Sequence, residues 1–311
     1  MLTTEPGIER QVQAVRSASR RMVRELGMLG GHFSVSGLSS SQCHILIELD
    51  EHGELTAGKL SEILRLDKST VSRLLQSLAM KGWLAIERDE EDGRRQIVRL
   101  TRSGRQEAER IHAISNELVL GAFGGLDQAA RDRVIDGLET YAAALERAAR
   151  RKGVVIRKIE PRDDRSLALL IRETMAEFGV SGPGTAHADP EVDRISESYL
   201  KERHAYFVVE QEGTVLGGGG IGPLSGADGS VCELRKMYLR PAMRGIGVGR
   251  QLLESCLSAA RELGFRQCYL ETVPQMLQAQ ALYRKLGFVQ TCEPMGDTGH
   301  HKCDVWYVKD L

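Results

Sequence analysis

Two rhythms of apolar residues meet near residue 152. Up to Arg151 the apolar positions recur at helical spacing. Val71, Leu74, Leu75 and Leu78, for example, fall at i, i+3, i+4 and i+7 and so share one face. From Gly153 onward short apolar runs alternate with amphipathic stretches. Strands are expected at 154–159, 205–210, 214–221, 231–239, 267–272 and 304–309, with helices at 164–178, 191–202, 249–263 and 275–286. Asp127 to Arg151 reads as a charged, alanine-rich helix ending in Arg147, Arg150, Arg151 and Lys152, cations suited to the negative end of a helix dipole. Gly153 breaks it. The pattern therefore predicts a mainly helical domain over 1–152 and an α/β domain over 153–311. Gly182 to Asp189, which contains Pro183 and Gly184, is expected to be a mobile loop.

Composition changes this picture only at the margins. A chain of 311 residues is too long for one ordinary core, which agrees with two domains. No apolar run reaches the roughly 18 residues of a membrane span, and Met1-Leu2-Thr3-Thr4-Glu5 lacks a basic leader with an apolar core. A soluble, cytoplasmic protein without a membrane partner is the expectation. The 6 cysteines are scattered without C-x-x-C spacing, which argues against a disulfide framework and against a zinc site. No metal is expected. Net charge is −1, so any case for nucleic acid must be local.

Such a local case exists in the first half. Thr56 to Leu64 reads as a short helix, and Arg65-Leu66-Asp67 as a tight turn before a second helix from Lys68. Asp67 stands where an N-cap belongs. Opposite the apolar face, the second helix presents Ser69, Ser72, Arg73, Gln76 and Ser77, with Thr70 at the edge: small polar groups and one cation, suited to a major groove. Trp83 to Glu87 and Gln96 to Leu100 read as a β-hairpin around the turn Asp89-Glu90-Glu91-Asp92-Gly93. A hairpin directly after a recognition helix is a wing, and Arg88, Arg94, Arg95 and Arg99 are candidates to reach phosphates or the minor groove. Cations outnumber carboxylates between Lys68 and Arg105, although Glu90 and Glu91 would repel phosphate. Asp92 is expected to pair with a nearby arginine and fix the wing.

Lys68-Ser69-Thr70-Val71-Ser72-Arg73-Leu74-Leu75, Lys81-Gly82, Asp92-Gly93-Arg94-Arg95 and Leu100-Thr101-Arg102-Ser103-Gly104, in that order, resemble the MarR family of winged helix-turn-helix regulators over about residues 5–150. The resemblance implies a homodimer built by the terminal helices of the domain, here Ile8 to Met28 and Arg105 to Arg151. It also implies a palindromic double-stranded DNA operator, contacted by Ser69, Thr70, Ser72, Arg73, Gln76, Arg94 and Arg95. A helical dimerisation module that never touches DNA is the alternative.

The second half carries Arg244-Gly245-Ile246-Gly247-Val248-Gly249 between the strand Val231 to Leu239 and the helix from Arg250. Alternate glycines at a helix N-terminus suit a phosphate-bearing guest, because the chain turns tightly and its N–H groups converge. The guest is not a Walker-loop nucleotide, since neither Lys nor Ser/Thr follows Gly249. Nor is it a dinucleotide, since the third glycine of G-x-G-x-x-G arrives one residue early. Arg-x-x-Gly-x-Gly directly after Met237-Tyr238-Leu239-Arg240-Pro241 resembles the acetyl-CoA loop of the GNAT N-acetyltransferases. That resemblance covers about 153–311 and implies an α/β fold with a central mixed sheet. It also implies acetyl-CoA as co-substrate. The pantetheine arm would pair with Met237, Tyr238 and Leu239, and the pyrophosphate would be clasped by Arg244, Gly245, Ile246, Gly247, Val248 and Gly249 with Arg250 assisting. Arg244 either contacts phosphate or buttresses the loop.

Acyl transfer to an amine needs an acid for the departing thiolate and a base or water chain for the amine proton. Leu282-Tyr283-Arg284-Lys285-Leu286-Gly287-Phe288 resembles the family's closing motif, which makes Tyr283 the acid candidate. Glu233 is the base candidate, with an ion pair to Arg235 on the same strand face as its structural alternative and Glu271 in reserve. The family often carries asparagine seven residues before the tyrosine; here it is Met276. His300, His301 and Lys302 are candidates for lining the acceptor site, or are solvated loop residues. Gly217 to Gly220 implies close approach by another backbone or by ligand, or a simple bulge. Asp189, Glu191, Asp193 and Glu197 are candidates for attracting a cationic amine. The sequence thus points to a DNA-binding regulator fused to an acetyl-CoA-dependent N-acetyltransferase for a small amine or amino-acid-like acceptor. A regulator that uses this fold only as an acetyl-CoA sensor is the alternative.

Overall fold

A computed structural model describes residues 7–27, 37–88, 95–179, 190–299 and 304–311. The chain divides into two compact units, Met1–Val134 and Ile135–Leu311. Arg94, Asp92, the 182–189 segment and His300 to Lys302 lie outside the described residues.

In the first unit α1 (Ile8–Glu25) is followed by α2 (Ser40–His52), β1 (Glu54–Thr56), α3 (Ala57–Leu64), α4 (Lys68–Met80), β2 (Leu84–Arg88), β3 (Gln96–Leu100), α5 (Arg102–Phe123) and α6 (Gln128–Arg151), the last shared with the second unit. Local chemistry sets each helix start. Ser39 and Gln42 form a reciprocal capping box on α2. The Thr56 hydroxyl accepts from the Lys59 N–H, so Thr56 caps α3 rather than beginning it. Asp67 accepts from the Thr70 N–H at 2.8 Å, confirming it as the cap of α4. The hydroxyls of Ser69 and Thr70 and that N–H hold the Asp67 carboxyl well below its ordinary range.

α2, α3 and α4 enclose one core with the sheet. Ile45, Leu46, Leu49, Leu60, Val71, Leu75, Leu78, Val98 and Ile111 are buried in it. The antiparallel sheet runs β1-β3-β2. Arg99 lies on the central strand and pairs with Glu54 on β1 and Glu87 on β2, at 2.6 and 3.0 Å. It ties the three strands together instead of standing free for phosphate.

The second unit continues with β4 (Val154–Lys158), α7 (Asp164–Glu177), α8 (Ile195–Tyr199), β5 (Ala205–Gln211), β6 (Thr214–Pro223), β7 (Val231–Leu239), α9 (Val248–Glu262), β8 (Gln267–Thr272), α10 (Leu277–Lys285), β9 (Val289–Thr291) and β10 (Val305–Asp310). Its sheet runs β4-β5-β6-β7-β8-β10-β9 and is antiparallel except between β7 and β8, which α9 connects as a parallel crossover. The expected mixed sheet is therefore present. The helix expected over 191–202 is interrupted: Pro190–Arg194 forms a 3-10 turn and α8 covers only five residues. The Asp164 carboxylate accepts from both the N–H and the hydroxyl of Ser196, at 2.8 and 2.7 Å, and this holds the chain at the break.

Candidate active site and nucleic-acid interface

β7 shapes the site. Its parallel ladder to β8 stops at Leu234↔Leu270, although β7 runs on to Leu239 and β8 to Thr272. Beyond that point the two strands diverge. A bulge marks the divergence: the β6–β7 register shifts between Gly218 and Gly220, and Lys236 takes a left-handed φ of 51°. Such a backbone is unfavourable for a lysine and is held by its surroundings. One restraint is the buried Tyr206 hydroxyl, which donates to the Lys236 carbonyl at 3.0 Å.

The glycines of β6 fit the same bulge. A Cβ on Gly217 would stand 2.8 Å from the Tyr238 carbonyl oxygen, and one on Gly220 2.7 Å from that of Ala205 and 2.7 Å from the Tyr199 ring. Close approach by neighbouring backbone and aromatic side chains, together with a bulge, accounts for the run.

Past Leu239 the chain makes a 3-10 turn at Pro241–Met243 and reaches the glycine loop. Gly245 and Gly247 adopt φ of 71° and 88°, which side-chain-bearing residues rarely tolerate. Gly247 is also the N-cap of α9, with no side chain capping the helix. The first N–H groups of α9 thus remain available to an anion. Ile246 and Val248 are buried beside Met243 and Leu252 and anchor the loop in the core. Gly249 already lies inside α9, where a Cβ would sit 3.3 Å from the Leu239 side chain; it permits close packing rather than a turn.

Arg244 buttresses this loop. Its Nε donates to the Leu239 carbonyl at 2.9 Å, and its two Nη atoms pair with the Glu177 carboxylate of α7 at 2.5 and 2.8 Å. The Arg244 hydrogen bonds hold the Glu177 carboxyl below its ordinary range. Arg240 pairs with Glu173 one turn earlier on α7. Arg250 pairs with Glu254 along α9 at 2.8 Å.

Tyr283 lies on α10, 6% exposed, with ring centroids 5.8 Å from Phe288 and 6.0 Å from Tyr307. Burial raises the pKa of its phenol, which keeps the hydroxyl protonated at neutral pH, as a general acid requires. The buried Gln280 Nε2 donates to the carbonyls of Val273 and Pro274 at 3.1 and 3.2 Å and ties down the turn before α10. Met276, where the family often carries asparagine, approaches the Thr272 hydroxyl with its sulfur at 3.9 Å.

Glu233 is 3% exposed on β7 and accepts from the Arg235 Nε at 2.6 Å. Arg235 also donates to the Pro223 carbonyl at 2.8 Å. The pair foreseen from the two-residue spacing therefore exists, and the guanidinium offsets the cost of burying the carboxylate. Glu271 accepts from the hydroxyls of Tyr269 and Thr298 at 2.8 and 3.0 Å. Of the acidic residues expected to attract a cationic amine, Glu191 pairs with the buried Lys236 and Asp193 pairs bidentately with Arg172. Glu197 lies 3.9 Å from Arg194, and Asp189 is outside the described residues.

Sequence reasoning passed over Tyr199. Its buried hydroxyl has no hydrogen-bond partner among the described residues. Burial raises its pKa, and the charges nearest in effect belong to Arg235, Glu191 and Glu233. A tyrosine that ends a five-residue helix carries no local signal of such surroundings.

In the winged unit Ser69, Ser72, Arg73 and Gln76 stand exposed along α4, with Thr70 half-buried. Arg73 folds back along its own helix, and its Nη2 donates to the Thr70 hydroxyl at 3.1 Å. Ser77 turns toward α2 and accepts from the Gln42 side chain at 3.1 Å, so it does not belong to the exposed face. Arg95 is exposed where the second wing strand begins. One group among the described residues has metal-ligand atoms within 4.8 Å of one another, Glu48, Glu51 and His52 on α2. The described cysteines are free, and no described helix is long and apolar enough to cross a membrane.

A sheet splayed beside an uncapped helix N-terminus suits an acyl-CoA-dependent transferase, and the first unit has the architecture of a winged helix-turn-helix module. Family models agree on both. The acetyltransferase (GNAT) family matches residues 170–288 and the MarR family residues 36–95. The uncharacterized N-acetyltransferase YjgM of Escherichia coli is 43% identical over 158 residues, which cover 50% of this chain and 95% of that protein. A GNAT acetyltransferase structure from Staphylococcus aureus matches 51% of this chain and 99% of its own, with 20% identity and a TM-score of 0.46. The structure of the Bordetella bronchiseptica protein BpsR matches 42% of this chain and 98% of its own, with 24% identity and a TM-score of 0.37. The chain belongs to the GNAT N-acetyltransferases, acetyl-CoA-dependent enzymes, and carries a MarR-family domain ahead of the catalytic one.

Proposed function

We propose that this protein is a dimeric DNA-binding regulator whose fused enzyme acetylates a small amine or amino-acid-like acceptor by direct attack on the thioester of acetyl-CoA. The observation that carries the catalytic half is the divergence of β7 from β8 directly before an uncapped α9. An extended strand edge suits an amide-bearing arm, and the helix N-terminus suits phosphates. Met237, Tyr238 and Leu239 receive the pantetheine, and the N–H groups of 245–250 receive the pyrophosphate, with Arg244 holding the loop in shape.

A lysine-like amine with a pKa of about 10.4 is mostly protonated at pH 7, and exposing its neutral form costs roughly 4–5 kcal/mol. Glu233, acting through water, takes that proton. The amine nitrogen attacks the thioester carbon, the C–S bond breaks, and the Tyr283 hydroxyl protonates the departing sulfur. Glu233→Gln keeps an acceptor for Arg235 but removes the base. It is expected to lower kcat about 10²-fold with acetyl-CoA affinity unchanged. Wild-type kcat in that variant would leave Glu233 only its structural pairing with Arg235.

A small acceptor is favoured over protein lysines by the group of Glu191, Tyr199, Glu233, Arg235 and Lys236, of which Tyr199, Glu233 and Lys236 are buried and Glu191 and Arg235 half-buried. It offers both signs of charge and an unused hydroxyl, a match for a molecule that carries an amine and a carboxylate.

For the regulatory half, the exposed polar face of α4 reads the major groove and the wing, with Arg94 and Arg95, tracks the backbone. Dimerisation is supported by apolar faces that the single chain leaves exposed: Val12, Val15 and Met22 on α1, and Val134, Leu138, Tyr141 and Leu145 on α6. Neither helix has a buried residue. In a salt-controlled titration with a palindromic operator duplex, two chains bind per duplex. Arg73→Ala is expected to weaken specific binding by about 1–3 kcal/mol, because it removes a base contact. Unchanged affinity would remove Arg73 from base readout.

A further inference from the structure

Each arginine in and beside the glycine loop already has a carboxylate partner. Arg240 pairs with Glu173, Arg244 with Glu177 and Arg250 with Glu254. The phosphates of acetyl-CoA bring several negative charges, whereas a helix N-terminus supplies only about half a positive charge. A full cation is missing from the motif, and the end of α6 provides it.

That helix end is pinned to the loop within the second unit. Gln211 Nε2 donates to the carbonyls of Arg150 and Lys152 at 3.2 and 2.8 Å, and so clamps the last turn of α6 onto the start of the sheet. Arg150 Nη2 donates to the Ala242 carbonyl at 2.6 Å, in the 3-10 turn that leads into the glycine loop. Arg151 is thereby laid against the loop itself: its Nη1 stands 3.6 Å from where a Cβ of Gly247 would be. Among the described residues no carboxylate pairs with Arg151, in contrast to the three loop arginines.

We infer that Arg151 is a phosphate-binding residue of the acetyl-CoA site, delivered to the glycine loop by α6 from outside the stretch that matches the acetyltransferase family. The inference rests on the reading that the loop receives the phosphates. A guanidinium fork meets two phosphate oxygens at once, which gives orientation as well as charge. Gly247 has no side chain to block that approach. Arg150, held by the Ala242 carbonyl, positions the helix end and does not itself contact the ligand. The pyrophosphate and the 3′-phosphate of coenzyme A share the chemistry that Arg151 recognises.

Calorimetric titration of the full-length protein with acetyl-CoA and with its dephospho form tests this. Arg151→Gln is expected to raise the Kd for acetyl-CoA about three- to tenfold and to flatten its salt dependence. KM for acetyl-CoA rises in parallel, while kcat at saturation and the KM for the acceptor stay at wild-type values. Arg147→Gln, one turn earlier on α6, binds as wild type. Equal weakening toward both ligands places the guanidinium on the pyrophosphate; weakening toward acetyl-CoA alone places it on the 3′-phosphate. Gly247→Val separates the two levels of the argument, because a β-branched residue cannot hold that φ without strain. Lost binding in Gly247→Val with a wild-type Kd in Arg151→Gln overturns the inference and leaves the loop reading standing. Wild-type Kd in both variants overturns the loop reading as well.

Discussion

Tyr283→Phe is expected to lower kcat by about 10²–10⁴-fold while leaving the Kd for acetyl-CoA at its wild-type value, because in the proposed mechanism the substitution removes one proton donor and nothing that holds the ligand. The ring is almost wholly enclosed and packs on Phe288 and Tyr307, contacts that phenylalanine retains. Folding is therefore preserved, and the loss reads on chemistry. An ordinary phenol already keeps its proton at neutral pH, and burial pushes the pKa further up, so the hydroxyl remains a neutral donor throughout that range. A thiolate leaving without that proton is left to solvent. Steady-state rates and calorimetry on the same preparation decide the matter. A variant with wild-type kcat would remove Tyr283 from proton transfer.

Gly104→Ala unfolds the winged unit at a much lower temperature than wild type, although it adds a single methyl group. A Cβ at this position would lie 2.1 Å from the Trp83 carbonyl oxygen and 3.0 Å from its carbon, and both belong to backbone that has little room to move. That carbonyl accepts from the Thr101 N–H at 3.0 Å. The Thr101 hydroxyl donates to the Gly82 carbonyl at 2.7 Å and accepts from the Gly104 N–H at 3.1 Å. Ser103 donates to the same Gly82 carbonyl at 2.9 Å. The Thr101-Arg102-Ser103-Gly104 segment is thus a clamp that joins the start of the wing to the start of α5. Overpacking against backbone is expected to cost about 3 kcal/mol or more, a drop on the order of 10 °C in the unfolding temperature. The second unit contains none of these contacts, so its acetyl-CoA binding persists below the transition. Calorimetric unfolding of the variant checks this, and a wild-type transition temperature would contradict it.

The motif around Gly104 shows what was readable in the sequence and what was not. Its order and spacing pointed to a winged helix-turn-helix, but the reason for the glycine lies in a contact with residue 83. The main periodicities translated directly into structure: the apolar face of α4, the wing, and β5 to β8 stand close to where alternation and helical spacing put them. β1 and β9, at three residues each, are too short to carry a period. The expected helix over 191–202 breaks at Arg194, whose φ is −140°, and Asp164, 32 positions away, accepts from the Ser196 N–H in the first turn of α8 that follows. The site was legible where its chemistry is local. Gly245 and Gly247 take the left-handed turns their identity implies, and Glu233 meets Arg235 across a two-residue repeat. Arg244 had two open roles, and its bonds to Glu177 on α7 and to the Leu239 carbonyl are the contacts that buttressing requires. Tyr199 gave no signal and Arg151 only that of a cation at a helix end, because their surroundings are assembled only when α8 and the end of α6 reach the sheet and the loop.

The central claim is that the second unit transfers acetyl groups to a small amine rather than merely sensing acetyl-CoA. Thiol release from acetyl-CoA, followed with full-length protein over a panel of small amines and amino acids, tests it most directly. The account predicts that at least one acceptor yields free coenzyme A and acetylated product in equal amounts, and that Tyr283→Phe suppresses both together. Tight acetyl-CoA binding with no acceptor-dependent thiol release across the panel would contradict it.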